Sequence, residues 1–410
     1  MISLDLNNIP DLNLDGHDVP RFLEQIHARK QGFYQVLDDE DMMQQILDYS
    51  AQVKNKYQNI VVLGIGGSAL GTITLRDSLS NFFVQDSPRL HVLENIDPAF
   101  LAEALQALDL SQTLFITISK SGGTPETLAQ YSFFADEVKK AGLNIAEHFV
   151  NITGEAGLLR KISEEENIPM FDVPEDVGGR FSVLTPVGLL PAALIGLDIQ
   201  KLMAGARAMR DAFLSENIQE NLAFQLALVQ FNCSQKGQSQ NVLMPYATKL
   251  RTFSAWFAQL LAESTGKIDE TGNHVGLTPV PALGVTDQHS QLQLFAQGPN
   301  DKLVIFMRVK NHGTDLNIPV EIDHEKINFL KNKSFQDLLD AEQRATADTL
   351  AEGGRPNMTI EIDQLDEAHL GQLFLLFEGA TAFLGEMFHI NAFDQPGVER
   401  SKVLTREYLS

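Results

Sequence analysis

Short apolar runs without a polar break recur along this chain, each followed by a turn of small residues and then by helical spacing. A largely β-branched apolar run within 59–65 leads through glycines into a helical pattern over 70–79. Residues 90–93 run into Glu94 ahead of a helical stretch at 102–108, and the apolar 113–118 precede a long one at 125–140. Strands that are apolar on both faces must be covered on both faces, and an intervening helix makes consecutive strands parallel. This predicts a doubly wound α/β domain. Beyond Arg180 the patterns at 187–213 and 221–232 are helical. Strands resume at 241–244 and 303–309 around a helix at 252–264, and 366–387 and 397–408 read as helices. A second α/β unit follows from that alternation. With 410 residues the chain exceeds one simple core. The predicted organisation is an N-terminal segment 1–40 on the second domain, a first domain 41–200, a second domain 201–385, and a C-terminal motif and helix 386–410.

Composition narrows the function. The net charge of −23, with no run of Lys and Arg, argues against a nucleic-acid partner, because a phosphate backbone would be repelled. An anionic substrate would have to be met by local amides and a few cations. The single Cys233 excludes an intramolecular disulfide and a multi-cysteine metal cluster and suits a reducing compartment. With no signal peptide and no membrane-length apolar segment in view, the expectation is a cytoplasmic protein with no membrane partner. The ten histidines show no HExxH spacing, so no metal is expected.

Several loops carry chemistry. Gly64-Ile65-Gly66-Gly67-Ser68-Ala69-Leu70-Gly71 lies between strand and helix, where small residues let amides approach an anion. Gly64, Gly66 and Ala69 also satisfy a dinucleotide fingerprint, with Glu94 ending the next strand, which makes a dehydrogenase the rival reading. A tight turn needing glycine only for its geometry is the plainer alternative. Ser119-Lys120-Ser121-Gly122-Gly123-Thr124-Pro125-Glu126-Thr127 crowds four hydroxyls against a helix start, a phosphate site that adds little net charge. Capping by Thr124 would explain one of those hydroxyls. Gly178-Gly179-Arg180 presents a permanent cation from a turn. Gln259 and Glu263 share a helix face, and His289 supplies an imidazole; in isolation an exposed carboxylate and an ordinary histidine are the simpler accounts of both.

In this order, and with the tail Phe393-Asp394-Gln395-Pro396-Gly397-Val398-Glu399-Arg400-Ser401-Lys402, these stretches resemble the glucose-6-phosphate isomerase (phosphoglucose isomerase) family from about Ile60 to Lys402. The resemblance implies two sugar-isomerase (SIS-type) α/β domains. It implies reversible aldose–ketose isomerisation of glucose 6-phosphate and fructose 6-phosphate through an enediolate, without a cofactor. It makes Glu263 the base, Arg180 the enediolate's stabiliser, and His289 and Lys402 assistants in ring opening. Gly67, Ser68, Ser119, Lys120, Ser121, Thr124 and Thr127 would hold the phosphate, with Gln259 and Gln395 along the sugar. It further implies a homodimer with shared active sites. Ser121-Gly122-Gly123 and Thr265 depart from many members and leave mannose 6-phosphate open as a second substrate. Two other classes, a dinucleotide-dependent oxidoreductase and a non-catalytic sugar-phosphate sensor, explain fewer of these motifs.

Overall fold

The computed structural model describes residues 2–84, 88–314 and 316–410. The chain divides into two compact units, Arg29–Ala208 and the remainder, Met1–Ala28 with Met209–Ser410. The first strand, β1 (Ile2–Asp5), belongs to the latter. The Arg29–Ala208 unit holds β2 (Asn59–Leu63), β3 (Arg89–Leu93), β4 (Thr113–Ser119), β5 (Phe149–Thr153) and β6 (Met170–Asp172). All pair in parallel in the order β3-β2-β4-β5-β6. The seven residues of β4 are all buried, as an apolar central strand requires. On one face of the sheet Val61, Leu63, Phe115 and Phe149 pack with Phe134 and Val138 of the helix Pro125–Lys140. That helix begins with proline, which lacks only an amide the first turn would leave unbonded. It ends with Lys139 and Lys140, which favour its negative pole.

From β2 the chain moves outward to β3 and returns to β4 on the other side. Such a reversal leaves a crevice beyond the carboxyl ends of β2 and β4, where doubly wound folds bind ligands. Both loops singled out in the sequence, 64–71 and 119–127, leave from those ends. The helix-rich region 187–213 consists of two helices, Pro186–Leu194 and Ile199–Phe213. Gly196 stands between them at φ +85°, and the Leu197 amide reaches back to the Ala192 carbonyl, a left-handed stop.

The other unit continues with β7 (Gln240–Pro245), the short hairpin β8 (Lys267–Ile268) and β9 (His274–Val275), then β10 (Thr278–Pro281), β11 (Lys302–Asn311) and β12 (Asn357–Gln364). Its main sheet runs β1-β12-β11-β7-β10. Four strands are parallel, and β1 closes the edge antiparallel, with Ile2 opposite Ile362. The helix Glu367–Met387 is buried on nearly every side, and Phe374 and Phe377 meet Phe253 and Trp256 of the helix Arg251–Thr265. A helix apolar all round belongs inside a unit, not on its surface.

Candidate active site

At the end of β4 three loop hydroxyls cluster. Thr124 occupies the N-cap position of the helix Pro125–Lys140, yet its side chain caps nothing. Its Oγ1 lies 3.0 Å from Ser119 Oγ and 3.4 Å from Ser121 Oγ. A threonine at this position ordinarily gives its oxygen to a helix amide; here it turns to the two serine hydroxyls instead. Gly122, at φ +61°, folds the loop onto the neighbouring 154–157 turn, where a Cβ on Gly157 would come within 2.5 Å of the Ser121 carbonyl. Nothing in the sequence singled out Gly157, although an unexplained glycine after a strand end was the available signal. Thr127 sits in the first turn of the helix, 1% exposed, with its hydroxyl unpartnered.

The loop after β2 explains its own glycines. A Cβ on Gly67 would fall 2.2 Å from the Gly179 carbonyl oxygen and 2.9 Å from the Arg180 nitrogen. Gly67 is therefore required by contact with the Arg180 turn, an account of the motif that needs no dinucleotide. Ser68 ends a short turn, Gly66–Ser68, and is half-buried beside these residues. Arg180 is 5% exposed, with its guanidinium 5.6 Å from the Phe181 ring. Ser182 donates to the Gly179 carbonyl at 2.7 Å, steadying the turn. Lys120 does not extend from its loop as a free cation: its Nζ donates to the carbonyls of Glu175 (2.8 Å) and Val177 (2.7 Å). Burial pushes the Lys120 ammonium below its usual range, and Asp176 and Glu175 oppose that shift. The Arg29–Ala208 unit thus brings Gly67, Ser68, Lys120, the three loop hydroxyls and Arg180 into adjoining loops.

Within the other unit, the helix Arg251–Thr265 aligns Gln259 and Glu263 on one face, and Gln259 Nε2 donates to Glu263 Oε1 at 3.3 Å. Both side chains are half-buried. Lys267 closes this helix by donating to the carbonyls of Glu263 (2.7 Å) and Ser264 (3.1 Å). Its Nζ also lies 3.6 Å from Asp394, joining the helix Arg251–Thr265 to the C-terminal motif. His289 is exposed at the end of the turn Thr286–His289. That turn is anchored through Gln288, which accepts from the Tyr246 hydroxyl at 2.8 Å and donates to Glu342 at 2.9 Å. Burial pushes the Tyr246 hydroxyl up to about 12, so it stays a donor at neutral pH. Gln395 precedes the turn Pro396–Val398 and is exposed. Lys402 lies on the exposed final helix Glu399–Leu409, with its Nζ 2.7 Å from Glu399. The Tyr246–Gln288–Glu342 chain was not legible in the sequence, because its members are far apart along it.

A hydroxyl-lined loop at the switch point of one doubly wound unit, and a carboxylate-bearing helix in a second α/β unit of the same chain, fit the phosphosugar isomerase class. The phosphoglucose isomerase family model matches residues 7–410. A glucose-6-phosphate isomerase from Carboxydothermus hydrogenoformans is 41% identical over 379 residues, 89% of this chain and 82% of that protein. Among solved structures, a hypothetical protein from Thermus thermophilus superposes with TM-score 0.94 at 35% identity, covering 100% of both chains. A glucose-6-phosphate isomerase from Chlamydia trachomatis gives TM-score 0.82 at 25% identity, over 95% of this chain and 83% of that one. The chain belongs to the phosphoglucose isomerase family and is an aldose–ketose isomerase.

Proposed function

We propose that the chain interconverts glucose 6-phosphate and fructose 6-phosphate in glycolysis and gluconeogenesis, with Glu263 as the proton-transfer base. The observation that carries this reading is the uncapped helix start beside Ser119, Ser121 and Thr124 at the switch point. There a phosphate dianion is met by hydroxyls and amides instead of by a cluster of cations. With the phosphate held there, with Gly67, Ser68 and Thr127 beside it, the open-chain sugar is oriented at its far end. The Glu263 carboxylate takes the proton from C2 of the aldose, and the electron pair forms the enediolate, whose negative oxygen Arg180 stabilises. After proton exchange between the two oxygens, protonated Glu263 returns the proton to C1, and the ketose results. His289 and Lys402 exchange protons during ring opening, and Gln259 and Gln395 line the sugar. Each step balances with no hydride acceptor.

Chelator-treated protein given fructose 6-phosphate should yield glucose 6-phosphate, read by a coupled dehydrogenase. No product from folded protein that binds fructose 6-phosphate would transfer support to the sensor reading. Among the described residues no three His, Cys, Asp or Glu side chains are grouped to hold a metal ion. A homodimer is supported by the large apolar side chains exposed at Leu316, Ile322, Phe329 and Phe335, which a second copy would cover. Sedimentation at micromolar concentration tests it. A cytoplasmic location is supported by Cys233, which is buried as a free thiol, with its pKa pushed up by burial to about 11. Among the described residues no helix is long and apolar enough to cross a membrane.

A further inference from the structure

We propose that Lys120 is a positioning residue, whose ammonium ties the phosphate loop to the turn carrying Arg180 and so holds the phosphate site and the enediolate's cation as one piece. The inference rests on the reading of loop 119–124 as the phosphate site and of Arg180 as the stabilising cation.

The backbone of Lys120 is fixed at the end of β4, where its carbonyl accepts from the Gly154 amide at 3.0 Å. Its side chain then leaves the loop and reaches two carbonyls, those of Glu175 and Val177, in the segment just ahead of Arg180. That segment is a closed turn, with the Val177 amide on the Pro174 carbonyl at 3.1 Å and the Phe181 amide on the Gly178 carbonyl at 2.9 Å. A displacement at 175–177 is therefore transmitted to Arg180. From the opposite direction the same turn is packed by Gly67, so it is located by two loops at once. An ammonium has three N–H groups, and two of them are committed to these carbonyls. A phosphate contact through Nζ would have to give up these charge-assisted bonds, while the loop already offers hydroxyls and helix amides. The lysine is thus suited to orientation, and phosphate recognition is left to its neighbours.

The test compares Lys120→Met, which keeps the aliphatic stem and removes the donors, with Lys120→Arg, which keeps charge and at least two donors. Fructose 6-phosphate kinetics give kcat, and inorganic phosphate as a competitive inhibitor reports the phosphate site alone. For Lys120→Met the strut predicts a fall in kcat of about tenfold or more, with the phosphate Ki within about threefold of wild type. Lys120→Arg should recover most of kcat with Ki unchanged. A phosphate Ki raised about tenfold in either variant assigns the ammonium to the anion and overturns the proposal, as does an unchanged kcat in Lys120→Met. Should Lys120→Met fail to fold, Lys120→Arg decides: retained kcat and Ki support the strut, and a raised Ki overturns it. Failure of phosphate to compete in the wild type would refute the phosphate loop itself, a separate outcome.

Discussion

Gly67→Ala is the sharpest probe of the loop arrangement, because the space for a single methyl group is already filled by backbone. The added Cβ would lie 2.2 Å from the Gly179 carbonyl oxygen and 2.5 Å from its carbon, and backbone cannot rotate aside as a flexible side chain can. Relief to an ordinary contact of roughly 3.2–3.4 Å requires a shift of about 1 Å, shared between the two loops. Overpacking of this kind costs about 1–3 kcal/mol, a fall in Tm of about 3–10 °C for a unit of this size. The catalytic effect should be larger than the stability effect, since misplacing a stabilising cation by about 1 Å costs on the order of 100-fold in kcat. Gly179→Ala is the stability control: a Cβ there meets nothing within 4 Å, so its Tm should match wild type. Steady-state turnover of fructose 6-phosphate and thermal unfolding measured on the same preparations provide both numbers. Wild-type kcat and Tm in Gly67→Ala would refute the claim that this contact sets the position of Arg180.

Other expectations follow from single groups. Glu263→Gln should lower kcat by about 100- to 10,000-fold while leaving fructose 6-phosphate affinity within a few-fold; near-normal turnover would remove Glu263 from the proton-transfer step. Thr124→Val deletes the central hydroxyl of the loop and should raise both KM and the phosphate Ki by about tenfold, with kcat little changed. An unaltered phosphate Ki would leave Thr124 out of the anion site. Glu378 lies wholly buried in the helix Glu367–Met387 with both carboxylate oxygens unpartnered, and burial pushes its pKa well above the ordinary 4.5. The folded state therefore holds a proton that the unfolded chain releases. Stability from this group is complete below about pH 4.5 and falls by up to about 1.4 kcal/mol per pH unit as the pH rises from there toward the folded pKa. Glu378→Gln abolishes that slope, so unfolding midpoints of variant and wild type should diverge in the variant's favour from pH 5 to pH 8. Parallel midpoints would show that the carboxyl is ionised and solvated in the folded protein.

Much of the architecture was legible because it is local. A buried parallel strand must be apolar on both faces, so 113–118 reads as a central strand without reference to any partner, and the observed strand adds only Ser119. The pairing of Gln259 with Glu263 is fixed by helical spacing, and the crowding of hydroxyls at 119–127 is a property of the sequence alone. Local signals gave a helix-rich stretch at 187–213, and the stop at Gly196 that divides it came from the structure. They were also ambiguous where one motif served two structures, as the glycines at 64–67 did.

What required the tertiary structure was the choice of partners. The sequence alone determined that two α/β units, a hydroxyl-rich loop and a carboxylate helix would be present. Only the folded chain decided that Thr124 turns to the serines instead of capping its helix, and that Gly67 meets Gly179. It also decided that β1 pairs with a strand near residue 360, and that Lys120 and Lys267 each reach main-chain carbonyls. The physical reason is that every residue carries the same carbonyl, so its position as an acceptor is written in no side chain. It exists only once remote segments have been brought together.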